Sequence, residues 1–493
     1  MPSRRRFVGH LAAGVALAAA PELLARDPLA PLAWRAARAR VRVRGRVSAA
    51  GRGVARVAVS DGLAVAVTDR EGYFELVADP RMPGVWASIP DGFRMPVTPH
   101  GTLALHHPLD GRAEQRVEFR LERDERDWDR HAFVALADTQ TLDEEDMARL
   151  HAETVPAVRA AVAGVGDRPA FGVAVGDILY DRLDLFPEYE RAVSRIGIPF
   201  AQVVGNHDLD MDAAIDEDSV RTFTQHFGPA WYSFTRGAVH YVVLDDVLWH
   251  GNGYIGHLGR EQLEWLRQDL ALVPPGAPVV VFIHIPLATT TPERNQMPVD
   301  SHRLTNAATL WHLLEPFDAH VISGHTHEQE HAFPSVRAHE HNLGTACGAW
   351  WTGPICRDGT PNGFGVYEVA GSAVRWRYQA TGESPDHQLV VYPAGSDPSA
   401  PDEIVANIWD WDPAWAVTWF EGGDRRGAMA QRRGRDPRSL QLHLGPDRPR
   451  KHPWVDPILT DHLCYAPVVP GHGPITVEAI DRFGRTYRAS LVG

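Results

Sequence analysis

The stretch Val203-Val204-Gly205-Asn206-His207-Asp208 closes an apolar run that begins at Pro199. An apolar run that stops in a glycine, an amide, an imidazole and a carboxylate predicts a buried strand. Such a strand delivers polar groups to the carboxyl edge of an α/β sheet, where ligands bind. Taken alone, the same residues also fit an ordinary polar turn, so the rest of the chain has to decide between the two interpretations.

Four further apolar runs end in the same way. Each is short enough to be a strand, and each leads directly into carboxylate, amide or imidazole side chains. Helical periodicity from Glu144 to Val165 and from Glu261 to Leu272 alternates with these runs, which predicts a layered α/β domain. The four runs are Phe133 to Asp138 with Gln140, Phe171 to Asp177, Val279 to His284, and His320 to His325 with His327.

The overall composition restricts the class of protein. A chain of 493 residues is long enough for two or three domains with ample core. Its formal net charge of -14 argues against a nucleic-acid-binding surface, which would need a basic face. Cys347, Cys356 and Cys464 are too few for a disulfide framework. We interpret Cys347 and Cys356 as buried thiols, although an oxidising compartment would allow them to pair.

The N-terminus has the features of an export signal. Arginines precede an apolar, alanine-rich stretch from Leu11 to Ala20 that is too short to span a membrane. The sequence Ser3-Arg4-Arg5-Arg6-Phe7 resembles the twin-arginine signal, which exports folded proteins. We therefore expect residues 1–26 to be removed, no transmembrane segment to remain, and the protein to be periplasmic or extracellular. An arginine-rich disordered start is the alternative.

A β-rich segment precedes the α/β domain, which we place at residues 130–343. Residues 38–125 carry short alternating runs broken by glycine, such as Val41 to Val47 and Tyr73 to Val77. Period-two alternation with closely spaced turn signals predicts a small antiparallel β-sandwich. The segment shows no cluster of residues that suggests chemistry, so we predict an accessory domain.

A second β-rich domain is predicted at residues 344–493. Strand-like runs extend from Gly365 to Val369 and from Val374 to Tyr378, and tryptophan is concentrated in this part of the chain. Clustered aromatic residues are either a carbohydrate-binding face or core residues, and we interpret most of them as core. The residues concerned are Trp350, Trp351, Trp376, Trp409, Trp411, Trp415, Trp419 and Trp454.

The polar side chains at the five strand ends form one chemical set. Carboxylate and amide oxygens mixed with imidazole nitrogens suit divalent metals such as Zn²⁺, Mn²⁺ and Fe. Seven ligands are too many for one ion and fit two ions that share a bridge, a pair that can clamp both oxygens of a phosphoryl displacement. The seven are Asp138, Gln140, Asp177, Asn206, His284, His325 and His327.

The order of these motifs resembles the calcineurin-like metallophosphoesterase superfamily. The resemblance implies a four-layer αββα core, here flanked by the N-terminal β-sandwich and the C-terminal β-rich domain. The N-terminal segment is similar to transthyretin-like modules, and together with the Trp-rich end it resembles an exported bacterial subfamily. The motifs are Asp138-Thr139-Gln140, Gly176-Asp177, Gly205-Asn206-His207-Asp208, His284 and Gly324-His325-Thr326-His327.

The resemblance also implies a role for each residue. His207 would protonate the leaving oxygen or stabilise the transition state, and Asp208 would orient its ring. A metal-activated hydroxide would attack the phosphorus. The first ion would be held by Asp138, Gln140 and His327, the second by Asn206, His284 and His325, and Asp177 would bridge the two.

One residue departs from the pattern, because many members of the superfamily carry histidine where this chain has Gln140. An amide oxygen is a harder and weaker donor than an imidazole nitrogen, so we expect the first site to lean towards Mn²⁺, Mg²⁺ or Fe. Gly205 and Gly324 are expected either to have positive φ or to permit a close approach of the backbone.

The leading hypothesis is an exported two-metal phosphoesterase that acts on a small-molecule or cell-envelope ester. We favour a phosphodiester over a monoester or pyrophosphate, with selectivity set by loops such as residues 180–186, 249–257 and 289–302. The alternative is a non-catalytic surface protein that uses the same fold to bind glycan or a partner. The sequence leaves the oligomeric state open.

Overall fold

The computed structural model describes residues 40–491. The predicted signal, residues 1–26, lies outside the described residues and stays a prediction. From Val41 onwards the chain forms one unit. No helix within residues 40–491 is long and apolar enough to cross a membrane.

The described part of the chain starts with two four-stranded sheets at the place of the predicted β-sandwich, although the pairing is not purely antiparallel as predicted, because β1 and β8 are parallel. β1 pairs with β2, β5 and β8, while β3, β4, β6 and β7 form the second sheet. Buried residues from both sheets, such as Val43, Val59 and Trp86, belong to one core. The strands are β1 (Val41–Ala49), β2 (Arg52–Gly53), β3 (Ala58–Ser60), β4 (Val65–Val67), β5 (Tyr73–Ala78), β6 (Gly84–Ala87), β7 (His106–Pro108) and β8 (Glu114–Arg120).

The central region alternates strands and helices as the periodicity predicts. Its strands are β9 (Arg130–Leu136), β10 (Ala170–Val175), β11 (Phe200–Val203), β12 (Tyr232–Arg236), β13 (Val239–Val243), β14 (Val247–Trp249), β15 (Tyr254–Gly256), β16 (Pro278–Phe282), β17 (Asp318–Ser323), β18 (Glu330–Ser335), β19 (Ala338–Asn342), β20 (Gly363–Ala370) and β21 (Ala373–Ala380). Its helices are α1 (Glu144–Arg149), α2 (Val155–Gly164), α3 (Phe186–Ser194), α4 (Asp216–Ser219), α5 (Arg221–Phe227), α6 (Arg260–Leu270), α7 (Thr291–Asn295), α8 (Val299–His302) and α9 (Ala307–Leu314), and a π-helical turn, Leu150–Thr154, joins α1 to α2.

Two mixed sheets face each other in this region. Sheet I has the order β11-β10-β9-β20-β21, and its first three strands are parallel. Sheet II has the order β12-β13-β16-β17-β19-β18, with four parallel strands at its centre. Strands β14 and β15 form a separate hairpin.

Alternation along the strands sorts the buried side chains into three layers. Between the sheets lie aromatic rings, with Phe133 stacked on Tyr367 at 4.4 Å and edge-on to Phe282 at 5.7 Å. The opposite face of sheet I packs against α1, α2 and α3, and that of sheet II packs against α6 and α9. Because neighbouring residues of a strand point to opposite faces, each buried run contributes side chains both to the layer between the sheets and to the layer under the helices. The predicted αββα order is confirmed.

Sheet I takes its last two strands from beyond residue 343. The runs at β20 and β21 are predicted to belong to the C-terminal domain, whereas β20 pairs antiparallel with β9 in the centre of sheet I and β21 pairs with β20. Alternating hydrophobicity identifies a strand but not the sheet it joins, which is why the assignment of these two strands was wrong. The other domain limits stay predictions.

The remainder of the chain forms two antiparallel four-stranded sheets, β22-β23-β27-β26 and β25-β24-β28-β29, with a common core. Of the eight tryptophans named above, Trp351, Trp376 and Trp409 are buried, and only Trp454 is mostly exposed, which favours the core interpretation. The elements are β22 (Leu389–Tyr392), β23 (Glu403–Ile408), β24 (Ala416–Glu421), β25 (Asp424–Ala428), β26 (Ala430–Gly434), α10 (Pro437–Leu444), β27 (Thr460–Pro467), β28 (Ile475–Ile480) and β29 (Thr486–Leu491). Cys347 and Cys356 are free and buried, as predicted, and Cys464 is free and buried as well.

A buried histidine at the start of β9 makes stability depend on pH. His131 donates through Nδ1 to the Trp128 carbonyl at 2.5 Å and accepts from the Tyr241 hydroxyl at 2.6 Å, a pattern that the neutral ring satisfies. Burial lowers the pKa of His131 from 6.5 to about 4. Between these values the unfolded chain binds more protons than the folded one, so stability is lost as the pH falls through this window.

We expect this ring to contribute a loss of at most about 3 kcal/mol in the free energy of unfolding between about pH 7 and pH 4. His131→Gln removes the titrating group, so urea unfolding at the two pH values should show a smaller loss than in the unmodified chain. His312→Gln is the control, because the His312 side chain is 81% exposed and should leave the loss unchanged. Identical pH dependence in all three proteins would contradict the assignment.

Candidate metal centre

Five strands of the two sheets bring the seven predicted ligands to one edge. Strands β9, β10 and β11 of sheet I and strands β16 and β17 of sheet II each end two to four residues before the predicted ligands. Because parallel strands present their carboxyl ends at the same edge, the side chains meet there. All seven side chains are buried except His325, which is partly exposed: Asp138, Gln140, Asp177, Asn206, His284, His325 and His327.

The backbone at this edge adopts a conformation that is rare for residues other than glycine. A left-handed φ costs such a residue on the order of 1–3 kcal/mol and persists only when the surroundings enforce it. Five of the seven predicted ligands have this conformation: Asp138 (φ 45°), Gln140 (39°), Asp177 (46°), His325 (72°) and His327 (54°).

Glycines let these strained loops approach one another closely. A Cβ on Gly176 would lie 2.4 Å from the His284 ring, and one on Gly205 would lie 1.9 Å from the Asp177 backbone nitrogen. A Cβ on Gly324 would lie 2.5 Å from an Asp138 carboxylate oxygen. Neither Gly205, with φ −113°, nor Gly324 has positive φ. Of the two predicted reasons for glycine, close approach is the correct one.

Lone pairs converge on Nε2 of His284. Asn206 Oδ1 and His325 Nδ1 each lie 3.1 Å from this nitrogen, and Asp177 Oδ1 lies 3.3 Å from it. Nδ1 of His284 donates to the Val175 carbonyl at 3.0 Å, so Nε2 of the neutral ring has no proton to offer these neighbours. Ligands about 2.0–2.1 Å from a tetrahedral ion are themselves about 3.3 Å apart, so the spacing fits a divalent cation.

The Asp177 carboxylate lies between two groups of side chains. Its Oδ1 faces His284 and accepts from the His207 backbone N–H at 2.8 Å, while its Oδ2 accepts from Gln140 Nε2 at 3.0 Å. Asp138 Oδ1 lies 3.5 Å from His327 Nε2 on the Gln140 side. The structure therefore brings the seven residues together in the two groups that the resemblance implies, with Asp177 between them. Their roles as ligands stay a prediction.

Burial makes these charges costly without a cation. It raises the pKa of Asp138 and lowers the pKa of His327 to about 3. At Asp177 burial also opposes the charge, but His284 and His207 hold the pKa of this carboxylate below its usual range. Carboxylates and neutral imidazoles buried in one cluster are a donor set that borderline divalent metals prefer, so the side chains present fit a divalent metal site.

His207 lies beside this cluster, and its ring has a different partner from the predicted one. Nδ1 lies 2.7 Å from Asp181 Oδ1, and the ring stacks on Tyr180 at 4.4 Å. Asp208 was predicted to orient the ring, which is wrong. Both of its oxygens instead accept from backbone N–H groups, those of Ile178, Leu179 and Gly205, at 3.0 Å. Asp208 therefore holds the backbone of the loops after β10 and β11 in place. Buried backbone N–H groups need an acceptor, and this carboxylate accepts from three of them instead of contacting the His207 ring.

An aromatic rim joins the two sides of the cluster, and its C-terminal part was not predicted from the sequence. The Trp350 ring stacks on the His327 ring with 3.9 Å between ring centroids, and its centroid lies 4.6 Å from that of Trp454. On the other side, His452 contacts Tyr180 at 5.6 Å and Trp454 at 5.5 Å. We call Tyr180, Trp350, His452 and Trp454 the aromatic rim.

Lys451 fastens the rim to α1 by binding Asp143 at 3.1 Å and Asp146 at 2.5 Å. No sequence pattern links the segment at Lys451 to residues three hundred positions earlier, so only the fold reveals this contact.

The three loops that are expected to set selectivity all reach the site. The first does so through Tyr180. The second does so through Tyr254, whose ring lies 6.1 Å from that of His325, and the third through the Ser301 carbonyl, which lies 2.9 Å from His325 Nε2.

Comparison with protein families matches three consecutive parts of the chain to one family. Residues 132–329 match the description "Calcineurin-like phosphoesterase". Residues 41–124 match its N-terminal region and residues 340–487 its C-terminal region.

Curated relatives align over part of the central region. The serine/threonine-protein phosphatase CPPED1 of Danio rerio is 32% identical over 136 residues, which are 26% of this chain and 42% of the relative. A probable cyclic nucleotide phosphodiesterase of Psychrobacter sp. (strain PRwf-1) is 26% identical over 167 residues, 32% of this chain and 46% of the relative. The chain thus spans less than half the length of these relatives.

Solved structures align more loosely. The alignment with a dimetal phosphatase from Danio rerio covers 51% of this chain and 96% of that protein's chain, at 14% identity and a TM-score of 0.35. The alignment with a purple acid phosphatase from yellow lupin, Lupinus luteus, covers 64% of this chain and 56% of that protein's chain, at 14% identity and a TM-score of 0.38.

The close approach at Gly205 gives a direct test of the cluster. In Gly205→Ala the new methyl group meets the backbone of Asp177, which cannot move aside as a flexible side chain could. We expect at least half of the bound divalent metal to be lost, measured by elemental analysis after equilibration with Mn²⁺. Gly259→Ala is the matched control, since a Cβ there meets no atom within 4 Å. Equal metal content in the two folded variants would contradict the proposed geometry.

Proposed function

This chain belongs to the calcineurin-like metallophosphoesterase superfamily, and from that premise we propose that it hydrolyses a phosphodiester with two divalent cations. The observation that carries the proposal is the Asp177 carboxylate, whose two oxygens face the two groups of predicted ligands. The donor set favours Mn²⁺, Fe or Zn²⁺, with Mg²⁺ also compatible with the oxygen-rich first group. When bound, the cations lower the pKa of a water molecule and polarise the phosphoryl oxygens.

The protein's own side chains have separate tasks in this proposal. Asp177 holds the two groups at a fixed spacing, because its position is set by the His207 backbone N–H and by Gln140. Asp181 holds Nδ1 of His207, which leaves Nε2 as the ring nitrogen available to a substrate oxygen. His207 then supplies a proton to the leaving oxygen, the ordinary role of a positioned imidazole.

The aromatic rim supports a diester over a monoester. A diester carries two organic groups, and exposed aromatic faces beside the ligand cluster offer contact area for one of them. Trp454 is 52% exposed and lies against Trp350, so its free face is open to a ligand. The curated relative described as a probable cyclic nucleotide phosphodiesterase agrees with this preference. Faster hydrolysis of bis(p-nitrophenyl) phosphate than of p-nitrophenyl phosphate is the expected result.

Asp177→Asn tests the metal assignment. The variant keeps the shape of the side chain but removes the negative charge shared by both groups. We expect metal content and turnover to fall together, with kcat reduced more than about 100-fold, since metal ions supply several kcal/mol of transition-state stabilisation. Asp212→Asn is the control, because that carboxylate is 84% exposed and lies outside the three loops that reach the site. Near-normal hydrolysis with full metal content would overturn the proposal.

His207→Gln tests the proton donor. If the ring protonates the leaving oxygen, the rate for an alkoxide leaving group should fall by about 10²–10⁴-fold, whereas a nitrophenolate, which needs little protonation, should lose much less. Asp181→Asn should reproduce the contrast more weakly, and metal content should not change in either variant.

The control for His207→Gln and Asp181→Asn is Asp212→Asn, because the Asp212 carboxylate is 84% exposed. Equal losses on both substrates in His207→Gln would mean that the ring positions the substrate or the metals instead.

A further inference from the structure

A second group of imidazoles lies on sheet II, away from the predicted active site. His320 is on β17, and His339 and His341 are on β19, where His320 and His339 are register partners. His331 on β18 is the register partner of His341. His320 lies three residues before the end of β17, on the order of 10 Å along the strand from the edge that carries the predicted ligands. We call these four residues the histidine cluster.

Strand geometry alone makes the cluster converge. His339 and His341 are two residues apart and therefore point to the same face of β19, whereas Glu340 between them points to the other face and accepts from the Leu287 and Ala288 N–H groups. His320 Nδ1 lies 3.0 Å from His341 Nε2. One nitrogen from each of His320, His339 and His341 lies within 4.8 Å of the other two.

Hydrogen bonding within the protein does not satisfy these rings. A neutral imidazole has one donor and one acceptor, so the contact between His320 and His341 uses one nitrogen of each ring. Nδ1 of His341 is buried and has no hydrogen-bond partner among the described residues. An orphaned ring nitrogen in a fully buried position costs free energy, and a cation is one group that could remove the cost.

We infer that His320, His339 and His341 form a binding site for a late first-row divalent cation, with Zn²⁺ as the best-fitting ion. Three imidazoles without a carboxylate are a donor set for Zn²⁺, Cu²⁺ or Ni²⁺ and not for Mg²⁺ or Ca²⁺. The donor set therefore differs from that of the predicted active site, which contains two carboxylates and two amides. The two sites should accordingly differ in metal preference.

The surroundings of the cluster fit a bound cation. His331 Nδ1 lies 3.0 Å from His339 Nε2, and its Nε2 lies 2.8 Å from Asp410 Oδ1, the carboxylate–histidine arrangement that orients metal ligands. Arg482, which lines the same cavity, is paired with Asp412 at 2.6 Å.

The site is open on one side and joins two parts of the fold. A cavity of about 560 Å³ is lined by His320, His339, Trp376 and Arg482, which leaves room for a fourth ligand such as water. Asp410 follows β23 and Arg482 lies between β28 and β29 of the C-terminal sheets, while the proposed ligands belong to sheet II. An ion there stabilises the contact between these two parts, and by linkage it raises the stability of the whole chain.

The test uses the full chain, stripped with a chelator and refilled with Zn²⁺. His320→Asn is the main variant, because His320 is only partly buried and its loss is compatible with folding. His341→Asn is the second. Both should bind one Zn²⁺ fewer per chain than the unmodified protein, and both should retain phosphodiester hydrolysis. His240→Asn is the matched control, a histidine of the same sheet that is 7% exposed and lies outside the cluster.

A second measurement separates this site from the predicted active site. In an Asp177→Asn background, Zn²⁺ should still raise the melting temperature, and adding His320→Asn should abolish that increase. If both His320→Asn and the control bind as much Zn²⁺ as the unmodified chain, or if the increase persists in the double variant, the histidine cluster is not a metal site.

Discussion

The Asp177 carboxylate is the interaction on which the arrangement of the site depends. Its two oxygens face different groups of predicted ligands, and it is held by a backbone N–H from the loop after β11. That loop can reach it because Gly205 has no side chain in the way. A carboxylate fixed from three sides keeps two clusters of donors at a constant separation, as chemistry shared between two ions requires.

The strained backbone follows from the same constraint. Donors from five strands must point into a space only a few ångströms wide, and an extended chain would carry them past it. Left-handed residues reverse the chain directly after the strand, at a conformational cost that the packed sheets on either side have to offset. The aromatic layer between the sheets, with Phe133 stacked on Tyr367, supplies this rigidity beneath the site.

The sequence predicted the strand ends and the seven residues that meet there, because an apolar run that stops in polar residues is a local signal. Contacts between distant segments have no such signal. Asp208 is next to His207 in sequence and Asp181 lies 26 residues before it, yet Asp181 is the carboxylate that reaches the ring. The position of Trp454 beside the predicted ligands was missed for the same reason, and so was the histidine cluster, since spacing along a chain does not reveal which distant segments pack together.

The placement of β20 in sheet I has a consequence for how the chain is made. Strand β9 pairs with β10 on one side and with β20 on the other, but β20 leaves the ribosome only after all of sheet II has been synthesised. Until then one edge of β9 exposes unpaired backbone groups, a condition that promotes aggregation. Nascent chains that stop short of Gly363 should therefore depend on chaperones far more than the complete protein does.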